Sequence, residues 1–323
     1  MRFHKFALTG MTAIACCGLA SEAVADGRNA GSLLLYPEFN NQVGSATVIT
    51  ITNVSTTTEV DVEFVYIDGS DCSEFNREET LTANDTLTVL AKNHNPQNDY
   101  GYMYAFAREG VGNPISHDYL IGNVMVIDGM NGDSGWSLEY SFNAVSFETD
   151  VADGGSTELT ANGLRDLDGD EYHGAPAEIQ VPHFWGQGGA FDADLILIGL
   201  SGGSKFETTV DFLVYNDNEV AFSTEYSFEC WARTSLVSVS ALFEEDFLEG
   251  SGQDEDENIH NHESGWFRMW GDIASSSSTD IEDPAVYGVL IENIYSFGAA
   301  DLPWEEGVNL NGKLLARSLD GTF

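Results

Sequence analysis

The chain has 323 residues, with 12 Lys and Arg against 53 Asp and Glu and a formal net charge of −41. Such a surface repels nucleic-acid phosphates and anionic lipid headgroups, which argues against nucleic acid and against an anionic membrane surface as partners. Disorder is excluded too, because apolar residues make up 42% of the chain and aromatics 11%, enough to build real cores.

From the N-terminus, Arg2 and Lys5 precede a short apolar run, 6–20, and Ala23-Val24-Ala25 supplies the small-x-small pattern ahead of Asp26. This predicts a signal peptide over residues 1–25, cleaved near Ala25, and a secreted, periplasmic or cell-surface location. Cleavage removes Arg2, Lys5 and Glu22, leaving 10 basic against 52 acidic side chains, a formal charge of −42. A carboxylate-rich, lysine-poor surface suits a salty or calcium-containing medium, where ions screen self-repulsion. No later apolar run is long enough to cross a bilayer as a helix.

The mature chain reads as short strands separated by polar turns. Thr47 to Thr52 and Val60 to Ile67 are rich in β-branched and aromatic residues and flank the turn-like segment 53–58, which predicts a hairpin. Leu195 to Ile198 and Thr208 to Tyr215 repeat that arrangement around residues 199–204. The echo is wider than these strands. Leu34-Leu35-Tyr36-Pro37-Glu38-Phe39 returns as Ile179-Gln180-Val181-Pro182-His183-Phe184, an offset of 145, and Val62-Glu63-Phe64-Val65 returns as Val210-Asp211-Phe212-Leu213, an offset of 148. A weaker echo sets Gly101-Tyr102-Met103-Tyr104 beside Gly265-Trp266-Phe267-Arg268. A period of this length fits a whole domain rather than a solenoid repeat.

The predicted fold is therefore all-β, with two tandem antiparallel β-sandwich domains, Ig-like or jelly-roll-like, arising from internal duplication. They span residues 26–148 and 178–295. An Asp/Gly-rich linker, 149–177, joins them, and a C-terminal tail covers 296–323. The best helical candidate, Leu242 to Leu248, is short.

Candidate chemistry follows in chain order. Glu59, Asp61 and Glu63 alternate along a predicted strand, so three carboxylates share one face. The run Glu59-Val60-Asp61-Val62-Glu63 resembles the E-x-D-x-E core motif of laminarinase- and lichenase-type jelly-roll glycoside hydrolases. That resemblance implies Glu59 as nucleophile and Glu63 as acid/base. The sequence Phe64-Val65-Tyr66-Ile67 departs from the family at once, and Glu207, Thr209 and Asp211 form a similar polar alternation in the second repeat. Cys72 and Cys230 are the cysteines of the mature chain and, in an oxidising compartment, are candidates for one disulfide.

Asp166, Asp168 and Asp170, with the carbonyl of Tyr172, have the 1-3-5-7 spacing of a calcium loop, since a hard cation needs several oxygens at one point. The segment resembles EF-hand and dockerin loops, but Glu171 stands where the glycine belongs and Ala177 where the bidentate acid belongs. Gly199-Leu200-Ser201-Gly202-Gly203 matches the nucleophile elbow of α/β-hydrolases, yet a strand rather than the required helix follows it. His260-Asn261-His262 resembles part of a cupin metal site, set in an acidic loop. Trp185, Trp231, Trp266, Trp270 and Trp304 all fall in the second half, where most are expected in cores and one or two at a recognition site.

These features favour an exported, acidic, non-catalytic protein that binds a glycan or protein ligand. The alternatives are a secreted glycoside hydrolase using Glu59, Asp61 and Glu63, and an outer-membrane β-barrel.

Overall fold

The computed structural model describes residues 29–110, 113–128, 137–149, 167, 169, 171–251, 262–295 and 297–312. Strands dominate them. In chain order the first five are β1 (Leu33–Asn40), β2 (Ser45–Asn53), β3 (Val60–Asp68), β4 (Glu74–Leu81) and β5 (Thr86–Leu90). There follow β6 (Tyr100–Glu109), β7 (Asn113–Pro114), β8 (Leu120–Asp128), β9 (Ser137–Asn143) and β10 (Val145–Phe147). The second half holds β11 (Glu178–Trp185), β12 (Phe191–Gly199), β13 (Glu207–Asn216), β14 (Ala221–Phe228) and β15 (Trp231–Ser235). It closes with β16 (Ser264–Ser275), β17 (Asp280–Glu282), β18 (Val286–Ile294), β19 (Phe297–Asp301) and β20 (Trp304–Glu306). The helices α1 (Ala91–His94), α2 (Leu236–Val239) and α3 (Glu245–Gly250) are short.

The protein is nearly all β, and its strands form four antiparallel sheets. One runs β10-β1-β6-β3-β4 with β7 on β6, and another β20-β11-β16-β13-β14 with β17 on β16. The smaller pair run β5-β2-β8-β9 and β15-β12-β18-β19. Adding ten to each strand number of the first half reproduces the second. The helices α1 and α2 follow β5 and β15 in the same way.

Ladder register is as closely matched as strand order. Phe64 faces Ala105 across β3 and β6, while Phe212 faces Met269 across β13 and β16. Tyr36 pairs with Met103, and Val181 with Phe267. The β1–β6 ladder slips between Tyr36 and Phe39, and the β11–β16 ladder between Val181 and Phe184. These irregularities enclose Pro37 and Pro182, which have no N–H to give a ladder, so each proline sits where regular pairing is interrupted.

Within each half the chain crosses repeatedly between two sheets, while β3–β4, β6–β7 and β8–β9 and their counterparts pair within one sheet. Ile49 and Ile51 on β2 are buried while Thr50 and Thr52 between them are turned outward, the period of two that a one-sided strand requires. The Tyr36 hydroxyl on β1 donates to the carbonyl of Thr50 on β2 at 3.0 Å, crossing between sheets. A Cβ on Gly122 of β8 would overlap that hydroxyl, so glycine is what allows the approach.

This arrangement corrects the hairpin reading. β2 and β3 are not paired with each other, and neither are β12 and β13; both pairs are arches between sheets. The first arch is fixed by Asn53, whose Nδ2 donates to Thr58 O at 2.8 Å and to Leu81 O at 3.2 Å. Its Oδ1 accepts from Ser55 N at 3.0 Å. A turn segment of six residues is long enough to bridge two layers, and an arch leaves both strands free to pair elsewhere.

The reading of 149–177 as an Asp/Gly-rich linker carrying little that could be buried also changes. Leu167, Tyr172 and Ala175 are fully buried, and Tyr172 bridges to Thr149. Past residue 295, where the second domain was expected to end, β19 and β20 add to two sheets of that half. The helical candidate is real but displaced by a few residues: a 3-10 turn spans Ala241–Phe243 and α3 begins at Glu245.

The two halves are joined. Cys72 and Cys230 form a disulfide with Cα atoms 6.0 Å apart. Trp231 Nε1 donates to Pro37 O at 2.9 Å, and Arg233 Nη1 reaches Glu38 Oε1 at 3.1 Å. Buried residues from both halves form one continuous hydrophobic cluster.

Candidate functional site

The carboxylate trio is split between two environments. Glu59 lies just before β3 and is exposed, as is Asp61, which accepts from Thr80 Oγ1 at 2.6 Å. Glu63 is buried, and its Oε2 lies 3.2 Å from Arg108 Nη1, while Arg108 Nη2 lies 2.6 Å from Glu78. Glu63 therefore serves an ion pair that neutralises a buried charge.

Of the calcium candidates, Asp166, Asp168 and Asp170 lie outside the described residues. Tyr172 is docked against the end of the first half, and the N–H of the next residue, His173, donates to Glu148 O at 2.8 Å. Among the described residues no group of three or more His, Cys, Asp or Glu is arranged to hold a metal. His260 also lies outside them. His262 Nδ1 stands 3.0 Å from Glu245 Oε1.

Ser201 of the elbow-like segment is buried. Its hydroxyl donates to Asn311 O and accepts from Ala285 N at 3.0 Å, so it fastens a loop. A 3-10 turn and then β13 follow, where an elbow would need a helix.

Another contour is the cleft of about 40 Å³ lined by Val181, Pro182, His183, Leu290, Glu292 and Leu302, among others. His183 Nδ1 lies 3.6 Å from Glu292 Oε2 there. That volume is far below what a sugar or cofactor fills.

The larger feature is the outer face of the sheet β20-β11-β16-β13-β14. Along β16, Phe267 and Met269 point to the core, so Trp266, Arg268 and Trp270 point away from it. Tyr215 on β13 is paired with Trp266, and their rings stack at 4.5 Å between centroids and 6° between planes. One ladder row runs Leu213, Arg268, Gln180 and Trp304 across four strands. Trp266 is 37% exposed and Trp304 56%.

Polar groups lie between the rings. Arg268 Nη2 donates to the Tyr215 hydroxyl at 3.5 Å, and its Nη1 lies 3.5 Å from Glu178 Oε2. Gln180 Nε2 donates to Glu178 Oε1 at 3.0 Å and to Glu306 Oε2. At the same face, burial and the neighbouring Asp272 and Glu225 carboxylates push the Asp211 carboxyl above its ordinary value. The result is a flat surface of indole rings with donors and acceptors between them, edged by negative charge.

The matching rows of the first half are closed. Ladder register sets Leu35, Tyr102, Tyr104, Phe106 and Val65 opposite Gln180, Trp266, Arg268, Trp270 and Leu213, and all five of the first-half residues are buried. Sequence reasoning singled out Trp266, Trp270 and Trp304 but missed Tyr215, Arg268 and Gln180. The signal was available: Trp266-Phe267-Arg268-Met269-Trp270 alternates polar or amphipathic with apolar side chains, which places Arg268 between the two indoles on one face. Trp231, by contrast, is buried at the joint.

No protein-family model matches the chain, and no curated protein matches it. Among solved structures, a Thermotoga maritima protein has 13% identity over 36% of this chain and 96% of its own, with a TM-score of 0.28. A lectin from Pleurotus ostreatus, solved in complex with GalNAc, covers 87% of this chain and 83% of its own at 9% identity and a TM-score of 0.10. Likeness at that level carries no argument about fold or function, so the reading rests on this chain's own residues.

Proposed function

We propose that this is an exported, acidic, non-catalytic protein of two duplicated β-sandwich units, and that the second unit binds a neutral glycan on its outer aromatic face. The observation that carries the reading is the contrast between halves: the same ladder rows are buried in one and open, with Trp266 and Trp304, in the other. Indole rings stack on the apolar faces of sugar rings, while Arg268, Gln180 and Glu178 offer the hydrogen-bonding groups that hydroxyls need. The surrounding carboxylates disfavour anionic glycans.

Duplication is supported by the repeated strand order and by the two prolines at matching ladder slips. Export is supported by the leader-like residues 1–25 and by the Cys72–Cys230 disulfide, a bond that persists in oxidising compartments. Calcium at Asp166, Asp168, Asp170 and the Tyr172 carbonyl belongs to the same proposal, as a loop-ordering cation.

The glycosidase alternative loses support from the Glu63–Arg108 pair. The barrel alternative needs a closed sheet, whereas the described strands form four open ones. A glycan array probed with and without calcium tests the proposal, beside hydrolysis assays on β-1,3- and mixed-linkage glucans. Binding without turnover is expected. Hydrolysis that a Glu59→Gln/Glu63→Gln variant removes would replace this reading with the glycosidase.

A further inference from the structure

The sheet β5-β2-β8-β9 presents a surface of another kind. From β2 come Val48, Thr50 and Thr52, and opposite them on β5 stand Leu90, Thr88 and Thr86. The hydroxyls of Thr52 and Thr86 are 2.9 Å apart, and those of Thr50 and Thr88 3.3 Å, so each pair satisfies part of its own hydrogen bonding. On the other side β8 adds Ile121 and Met125, 44% and 36% exposed, with Asn123 between them. Among the described outward residues of β2, β5 and β8 none carries a charge.

That is unusual in a chain of formal charge −41. Two copies approaching through other surfaces bring carboxylates together, and each such juxtaposition is repulsive. Here threonine methyls, aliphatic side chains and neutral hydroxyls meet their own kind. A flat face can satisfy a two-fold operator, which needs only a self-complementary patch. We propose that the β5-β2-β8-β9 face is a self-association surface, pairing two copies of this chain back to back.

Strands of five, nine, nine and seven residues, with a rise of about 3.3 Å and a spacing of about 4.8 Å, give a footprint of roughly 500 Å² per copy. A standard interface covers about 800 Å² per partner, so the dimer is weak and concentration-dependent. Because the buried patch is neutral while the rest of each copy is acidic, added salt screens the repulsion and strengthens pairing. An interface built on salt bridges would weaken instead.

Sedimentation velocity on the full mature chain, from micromolar to hundreds of micromolar and at low and high sodium chloride, measures this. Wild type should shift from monomer to dimer with concentration, and further with salt. Thr50→Asp points a carboxylate outward at the centre of the face and should weaken pairing about 100-fold with little change in melting temperature. Asn76→Asp, on the exposed edge strand β4 of another sheet, should leave it unchanged. Wild type that stays monomeric throughout, or dimers that Thr50→Asp leaves intact, would overturn the proposal. So would a monomer whose binding to an insoluble polysaccharide is lost in Thr50→Asp, an outcome that assigns the face to glycan.

Discussion

Arg233 sits at the joint between the halves with three partners. Its Nε lies 2.8 Å from Asp194 Oδ2, its Nη1 lies 3.1 Å from Glu38 Oε1, and its guanidinium stands 5.7 Å from the Tyr140 ring centre. Glu38 is only 1% exposed, so removing the cation leaves a carboxylate that water cannot reach. Breaking a buried pair from one side costs about 3–5 kcal/mol. Arg233→Met should therefore lower the urea midpoint by a corresponding amount, and Arg233→Met/Glu38→Gln should recover part of it. His94 makes a second residue-scale case. Its Nδ1 meets the Tyr66 hydroxyl at 2.8 Å and its ring packs on Phe64, and burial holds the imidazole below its ordinary value of 6.5 despite Glu79 beside it. A depressed histidine contributes stability above its unfolded pKa, and that contribution is lost as pH falls through the lower folded value. The melting-temperature gap between wild type and His94→Gln should thus be full at pH 7.5 and shrink below about pH 6. None of these partnerships was legible in the sequence, because each joins residues far apart in the chain.

At the scale of elements, the chain's own echoes located strands better than propensity did. Pro37 and Pro182, and Phe64 and Phe212, fall at matching ladder positions because the pattern of inward apolar residues and the missing proline N–H both constrain register. What the chain hid was partner choice. β2 and β3 look like a hairpin, since alternation says which face a strand buries but not which strand lies beside it. The segment 149–177 looked like a solvated linker because its apolar residues are scattered among Asp, Gly and small polar ones, and Leu167, Tyr172 and Ala175 find their neighbours only in space. The disulfide belongs to this scale as well. It spans 158 residues and ties the β3–β4 loop to the β14–β15 turn. In the chain-entropy model such a closure contributes about 5 kcal/mol. Cys72→Ala/Cys230→Ala should lose stability of that order in guanidinium titrations, and the wild-type chain, unfolded without reductant, should resist thiol labelling at both positions.

At the scale of the molecule, the four sheets divide their faces unequally. In the first half β1, β3 and β6 are almost wholly buried on both faces. In the second, β13 alternates buried and half-exposed residues to its end. That difference is written in composition: Leu35 and Tyr104 stand where Gln180 and Arg268 stand later. It could be read from the alternation once the register was known, and not before. The candidate site follows from this asymmetry, as the sheet left open is the one that retains indole rings. Titration of the best array glycan into wild type and into Trp266→Ala/Trp304→Ala, followed by calorimetry, tests that claim most directly. Aromatic anchors of this kind are worth about 2 kcal/mol or more, so the double variant should bind at least ~30-fold more weakly while melting within a few degrees of wild type. A folded double variant that binds the glycan as tightly as wild type would contradict the account.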